Sequence, residues 1–410
     1  MEEMKRMTFK DYMATAKAAF RVPLECSPRL VWKFMYNFGW KSMRNMSRFE
    51  KRQARGEPFF PAFVMISVTE SCNLSCSGCW VSPDGRKSLT PARLEGIIDS
   101  CRRKGSFFFG ILGGEPLMYK GLLDVMERHG DCYFQLFTNG ILLTGEVAMR
   151  LKKMGNVTPL ISIEGLKEES DVRRGKKDVF ERTLAGVRAC RKAGLIFGVA
   201  ASICKSNYSD LVSREYIDRI AKEGAHYLWY YLYRPVGTEP NVGNALEKEQ
   251  ILEFRRFIVE QRKNAPLFII ETYWDDKGNA LCPGATGMSH HIAPSGAVEF
   301  CPPLQLSTDS VSGDGSDLAG IFEKSTFLTG LRKMTAGSSR GCILLEDPEK
   351  LVAFLEKHNA ADSTSRQTVL EEYKTMCPVA GHHTIEKIPE VNVFYRMVKK
   401  KYFFGFGAYG

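Results

Sequence analysis

Three cysteines fall within eight residues in Cys72-Asn73-Leu74-Ser75-Cys76-Ser77-Gly78-Cys79. Thiolates this close on one loop can converge on a single metal centre, and thiolate ligands select zinc or iron–sulfur clusters. A structural zinc site takes four ligands, usually as two separated pairs. Three cysteines leave one position open, which suits a four-iron cluster whose fourth iron binds an exchangeable group. A zinc loop completed by a distant fourth ligand is the alternative reading of these residues. A second set lies far along the chain: Cys282, Gly296-x4-Cys301, Cys342 and Cys377. Four thiols suffice for one further cluster, with inert thiols as the plainer reading of Cys342 and Cys377. His290, His291, His382 and His383 are alternative ligands, although they read better as surface histidines. Cys26, Cys101, Cys132, Cys190 and Cys204 complete the twelve cysteines and read as scattered buried thiols.

The elements that position these groups are short apolar runs alternating with helical patterns. Strands are expected over Phe63–Thr69, Phe107–Leu112, Tyr133–Phe137, Thr158–Ile163, Ile196–Ser202 and Tyr227–Tyr233. Helices are expected over Pro91–Lys104 and near 120–130, 144–154, 178–193 and 210–223. Such alternation implies βαβ crossovers and a parallel sheet, with functional residues at the carboxyl ends of the strands. Six βα units are too few for a closed eight-fold barrel. Beyond Pro235, residues 236–246 read as a linker and 248–263 as a helix. A strand-and-turn region follows over 267–302, then a surface loop over 307–318 and short helices near 347–359 and 366–375.

The cysteine loop after the first strand, with Gly113-Gly114-Glu115-Pro116 ending the second, resembles the radical S-adenosylmethionine (SAM) superfamily. The resemblance covers residues 61–235 and, less closely, 280–302. It implies a partial (β/α)6 TIM-like barrel in which Cys72, Cys76 and Cys79 hold a [4Fe–4S] cluster that binds SAM. It implies further that Gly113, Gly114, Glu115 and Pro116 present backbone groups to the SAM amino group. Asn139 ends the third strand as in many relatives. Ser162 and Glu164 stand where relatives carry a Ser-x-Asp-Gly that helps hold the ribose. Arg174, in Arg173-Arg174-Gly175, stands where relatives place an arginine near the SAM carboxylate. One departure is Gly78, where relatives often carry an adenine-contacting aromatic; Trp80 is a possible substitute. The spacing around Cys282 and Cys301 resembles SPASM and twitch domains, the shorter twitch type fitting better. It implies a second, auxiliary [4Fe–4S] cluster on Cys282, Cys301, Cys342 and Cys377. The expected activity is reductive cleavage of SAM to a 5′-deoxyadenosyl radical that takes hydrogen from a substrate. The expected reductant is a flavodoxin or ferredoxin.

The net charge of +10 is unevenly placed. Residues 1–60 hold thirteen Lys/Arg against six Asp/Glu, residues 387–410 hold five against one, and the middle is near neutral. Along 32–55, a helical step puts Trp32, Met35, Tyr36, Met43 and Met46 on one face and Lys33, Lys41, Arg44, Arg48, Lys51 and Arg55 opposite. The tail carries Phe403 and Phe404 among lysines. Such ends suit an anionic membrane surface, and no nucleic acid is expected as partner. No apolar run approaches the roughly 18 residues that span a bilayer, and the start does not read as a signal peptide. The expected location is the cytoplasm, with peripheral attachment to the inner face of the membrane. The expected organisation is a basic helical extension (1–60), a radical SAM core (61–240), a linker helix with an auxiliary-cluster domain (241–385) and a basic aromatic tail (386–410). A lipid-like substrate is the leading expectation and a ribosomally made peptide or protein the alternative. A non-catalytic iron–sulfur or zinc protein is a distant third.

Overall fold

The computed structural model describes residues 9–82, 85–237, 240–338, 341–379 and 386–399. The alternating pattern resolves into β1 (Phe63–Ser67), β2 (Phe108–Leu112), β3 (Tyr133–Thr138), β4 (Val157–Ser162), β5 (Gly198–Ile203) and β6 (Tyr227–Leu232), each parallel to the one before. The helices between them start where the sequence supplies side-chain caps. Thr90 accepts from Arg93 N–H, Thr144 from Val147 N–H and Ser213 from Tyr216 N–H. Both faces of the sheet are buried, as parallel sheets require. Val64, Ile66, Phe109, Ile111, Phe134 and Leu136 face the helical layer. Phe63, Met65, Phe108 and Leu112 belong to a separate inner cluster.

Six units undercount the sheet. β7 (Phe268–Glu271) pairs with β6 and β8 (Ser289–Ile292) pairs with β1, both in parallel, while β9 (Val298–Glu299) runs antiparallel to β8. The order is β7-β6-β5-β4-β3-β2-β1-β8-β9, an open nine-stranded sheet among the described residues. Region 267–302 therefore contributes to the barrel sheet rather than standing apart from it. β8 escaped notice because it reads Ser-His-His-Ile, four residues with little apolar signal.

The N-terminal extension closes the end of the barrel where the strands begin. Lys33 Nζ donates to Met154 O (2.6 Å), Asn37 Nδ2 to Gly130 O (3.3 Å) and Lys41 Nζ to Asp131 O (2.5 Å), and Asn45 Nδ2 donates to Ala62 O. Arg21 caps the Ala225 and Pro266 carbonyls, both at 3.0 Å, ahead of β6 and β7. Phe34, Phe38, Met46 and Phe49 fill the space beneath the inner cluster. The expected apolar face is thus corrected: Met46 is buried, but Trp32, Met35 and Tyr36 point outward. A π-helical stretch, Phe34–Trp40, joins the α-helices Pro28–Lys33 and Lys41–Ala54. Its i→i+5 bonding winds less per residue than an α-helix and shifts the phase of everything after it. Phe403 and Phe404 lie outside the described residues, as do His382 and His383. Among the described residues, no helix is long and apolar enough to cross a membrane.

The described part of the tail, residues 386–399, is held by five fully buried charged groups. Glu271 meets Lys399 at 2.5 Å, Arg255 at 2.9 Å and Arg262 at 3.2 Å, and Arg262 meets Glu390 at 2.5 Å. Burial alone would raise the Glu271 carboxyl, but Lys399, Arg255 and Arg262 outweigh it and hold the group down to about 2. Its value when folded lies below the ordinary 4.5. The stability it contributes is therefore present above about pH 4.5 and lost as pH falls toward 2. Glu271→Gln should cost about 3–5 kcal/mol at neutral pH, because it leaves buried cations uncompensated. Urea unfolding of the full chain measures this, and a loss under about 1 kcal/mol would contradict the assigned role.

Candidate active site

The cysteine loop leaves β1 and is tied down on both flanks. Asn139 Nδ2, after β3, donates to Asn73 Oδ1 at 2.7 Å, and Lys176 Nζ donates to the Asn73 carbonyl at 2.8 Å. Ser77 N–H donates to Arg173 O at 3.0 Å. Gly175 has φ +70°, and a Cβ there would sit 2.6 Å from the Ser75 carbonyl oxygen, so glycine is what lets the helix Lys167–Arg174 end against the loop. Cys72, Cys76 and Cys79 line one cavity of about 230 Å³ at the carboxyl ends of the strands. Burial raises the Cys72 thiol above its ordinary range, so the bare site favours a thiol that a metal would have to deprotonate.

The turn after β2 packs directly on the start of that loop. Gly114 N–H donates to Thr69 O (2.7 Å) and Glu115 N–H to Ser71 O (2.9 Å). A Cβ on Gly114 would lie 2.3 Å from Ser71 O, so no other residue permits this approach. With the Gly114 and Glu115 N–H groups used, carbonyl oxygens of the turn are left for a ligand, and these suit an ammonium group. Gly113 and Gly114 line the cavity, whereas Glu115 and Pro116 are buried beneath it. The Glu115 carboxylate accepts from Leu117 N–H (3.0 Å), Thr138 Oγ1 (2.8 Å) and Asn139 N–H (2.8 Å).

Asn139, Ser162, Glu164 and Arg174 all line the same cavity. Glu164 gives one oxygen to Arg174 at 2.8 Å and the other to Ser202 N–H at 2.8 Å. Arg174 Nη1 also lies 3.5 Å from Cys76 Sγ. The guanidinium is thus fixed between a carboxylate and the cysteine loop. Gly78 has φ +70°, and a Cβ there would fall 2.5 Å from the Tyr233 ring. The aromatic missing from position 78 is replaced in space by Tyr233 at the end of β6, while Trp80 forms another part of the wall. Arg173 stacks over Tyr233 at 4.7 Å and donates to Cys204 Sγ at 2.6 Å, so Cys204 is more than a scattered buried thiol. Neither Tyr233 nor Cys204 had a local signal beyond its strand-end position.

Three of the four later cysteines converge. Cys282, Cys301 and Cys342 line a second cavity of about 30 Å³, and Arg234 and Pro303 line both cavities. Burial and the neighbouring Cys342 push Cys282 up to about 11, and burial with Cys342 and Cys282 raises Cys301 well above its ordinary value. Cys377 is exposed and does not line this cavity. Val379 N–H does bond the Leu345 carbonyl at 2.9 Å, which ties its segment to the turn after Cys342.

His290 and His291 are buried, not on the surface. His290 packs on Phe300, Phe322 and Arg332. His291 Nδ1 lies 2.5 Å from Glu299 Oε2, and its Nε2 lies 2.7 Å from Ser67 Oγ. The carboxylate accepts, so Nδ1 donates to it, and Nε2 bonds the serine hydroxyl. These bonds staple β8 and β9 to β1, and no local pattern around Ser67, His291 or Glu299 announces them.

The donor set fits the expected cluster. Three thiols reach the first cavity with no histidine beside them, and its carboxylate, Glu164, is engaged by Arg174. Among the described residues, no three His, Cys, Asp or Glu side chains gather as tightly as a single ion requires. Around one zinc ion the sulfurs would sit about 3.8 Å apart, whereas a cluster of several irons spreads its ligands wider.

Residues 66–213 match the radical SAM superfamily. The Fe-coproporphyrin III synthase of Methanosarcina barkeri is 28% identical over 229 residues, covering 52% of this chain and 56% of that protein. The sporulation killing factor maturation protein SkfB of Bacillus subtilis is 26% identical over 258 residues, covering 61% and 58%. The chain spans less than two thirds of the length of these relatives. SuiB of Streptococcus suis, bound to S-adenosylmethionine, superposes with a TM-score of 0.60 at 16% identity, covering 84% of this chain and 80% of that one. SuiB bound to its precursor peptide SuiA superposes at 0.58 with 17% identity, covering 70% of each. At these identities the likeness is one of fold. The cysteine loop after β1 and the glycine turn after β2 both lie within residues 66–213, the part of this chain that matches the radical SAM superfamily, a family whose cofactors are a [4Fe–4S] cluster and S-adenosylmethionine.

Proposed function

We propose that this chain is a radical SAM enzyme that modifies a ribosomally made peptide. Cys72, Cys76 and Cys79 would hold the cluster, which together with bound SAM would supply the radical chemistry that removes hydrogen from the substrate. The chain's own part is to bind, orient and exclude water. Carbonyl oxygens of the Gly113-Gly114 turn receive the SAM ammonium, and Arg174, fixed by Glu164, meets its carboxylate. Ser162 and Asn139 face the polar remainder. Tyr233 supplies the aromatic face for adenine that Gly78 does not. Met65, Leu112 and Phe137 make the cavity wall apolar, so a side chain can enter while the peptide backbone stays at the mouth. A flavodoxin or ferredoxin delivers the electron. Cys282, Cys301 and Cys342 hold a second cluster, with Cys377 as fourth ligand after a local shift of its segment.

The observation that supports a peptide is the extent of the fold likeness. It covers 84% of the chain for SuiB, far more than the barrel core alone. The lipid-like substrate expected from the sequence loses its basis. The described parts of the basic, aromatic ends sit where the strands begin, and the cavity lies where they end. A tetrapyrrole is the second reading, because the Methanosarcina barkeri synthase matches over half of the chain. Co-expression with short reading frames beside the gene, read by peptide mass spectrometry, tests the peptide. A mass change on coproporphyrin and on no peptide would support the tetrapyrrole instead.

Three further outcomes are expected of the anaerobically reconstituted chain. Replacing Cys72, Cys76 and Cys79 together by Ala should abolish 5′-deoxyadenosine formation from SAM under dithionite, and wild-type rates in that variant would overturn the assignment. The same variant should retain about four irons on the later cysteines. An iron-free but folded triple variant would remove the second cluster. Tyr233→Ala should weaken SAM binding by roughly tenfold, the scale of one aromatic stacking contact, while Tyr233→Phe should not. Equilibrium dialysis with labelled SAM measures both, and equal affinities would exclude Tyr233 from the adenine site.

A further inference from the structure

The described parts of both basic ends reach the same pole of the molecule. The N-terminal extension covers the starts of β1, β3, β4, β6 and β7. Residues near the C-terminus join it there. Asn392 Nδ2 donates to Thr15 Oγ1 at 3.1 Å, and Ile269 N–H, at the start of β7, donates to Tyr395 Oη at 2.9 Å. The described parts of both ends therefore meet at the end of the barrel opposite the cysteine loop.

This pole carries large apolar side chains that none of the described residues covers. Trp32 is 67% exposed, Tyr36 46% and Trp40 57%. They stand four residues apart across the π-helical stretch, and the Trp32 and Tyr36 rings stack at 5.8 Å. Phe20 and Leu24, on the neighbouring helix Phe9–Glu25, are also exposed. Aromatic side chains left outside a well-packed plug are unusual, and π-helical turns recur at functional positions. Cations flank the stripe: Arg29 lies one turn before Trp32 and Arg44 one turn after Trp40, both exposed. Lys33 and Lys41 instead spend their ammonium groups on the carbonyls of Met154 and Asp131. Of the nearby acids, Glu25 is engaged by Arg21 and Glu57 by Arg55. Trp and Tyr flanked by arginine match the headgroup level of an anionic bilayer, where ring faces meet acyl chains and cations meet phosphates.

We propose that this pole docks on anionic lipid headgroups through Trp32, Tyr36 and Trp40, assisted by Arg29 and Arg44, with the cysteine-lined cavity turned away from the bilayer. The docking is independent of the substrate, since cavity and stripe lie at opposite ends of the strands. The full chain should co-sediment with vesicles of phosphatidylcholine and phosphatidylglycerol in equal parts, and less with phosphatidylcholine alone. Added salt should release part of it. Trp32→Ser with Trp40→Ser should reduce binding by roughly tenfold or more while thermal unfolding and SAM cleavage stay unchanged. Arg29→Glu with Arg44→Glu should remove the preference for anionic vesicles. A wild-type chain that stays in the supernatant at low salt overturns the proposal, as does a tryptophan variant that binds like wild type. A lipid-free dimer that becomes monomeric in the tryptophan variant would also overturn it, because a second copy would then cover the stripe.

Discussion

Glu115 is a fully buried carboxylate whose nearest partners are neutral donors, and the cysteine loop takes its place from it. Burial raises its pKa, and the bonds from Asn139 N–H, Leu117 N–H and Thr138 Oγ1 oppose that rise. Those donors come from the ends of two different elements, so the carboxylate locks the turn after β2 to the end of β3. Asn139, held by its backbone, then uses its side chain to grip Asn73, beside Cys72. One desolvated group thus sets the spacing among three strand ends. Removing it would leave two backbone donors and a hydroxyl unsatisfied in a dry environment, each at a cost of about 1–3 kcal/mol.

The parts of this site that were legible in the sequence are those in which one short segment carries the whole constraint. The spacing of Cys72, Cys76 and Cys79 is local, and so is the glycine pair at 113 and 114, where the structure finds backbone atoms within 2.5 Å of an added Cβ. Strands β1 to β6 were legible because continuous apolar runs are what a doubly covered parallel strand requires. What stayed hidden depends on contacts between distant segments. Tyr233 fills the space above Gly78 from a strand more than 150 residues away, and nothing near either residue announces the other. The Ser67–His291–Glu299 chain makes a polar strand a good core strand only after all three groups meet. The N-terminal helix misled for another reason. A constant angular step assumes α-helical winding throughout, and seven residues of π-helix break it.

The two thiol groups are separated by a thin wall. Arg234, buried and donating to Tyr273 Oη at 3.1 Å, borders both cavities together with Pro303. Burial would lower its pKa, but Tyr273 and Cys342 raise it, so it remains a cation between two sets of thiols. Both sets would carry negative charge once ligated to metal. A fixed positive group between them lessens their mutual repulsion in a medium of low dielectric constant.

The contact between Asn392 and Thr15 has a consequence for how the molecule is assembled. These residues are 377 apart in sequence, and the helices that seal the start of the barrel are made long before the last residues that join them. On a ribosome adding roughly 5–20 residues per second, the extension must wait tens of seconds for its partners. Until β1 to β3 have emerged, Phe34, Phe38, Met46 and Phe49 have no barrel to plug. A fold so rich in distant contacts closes slowly, and this apolar surface stays exposed until it does.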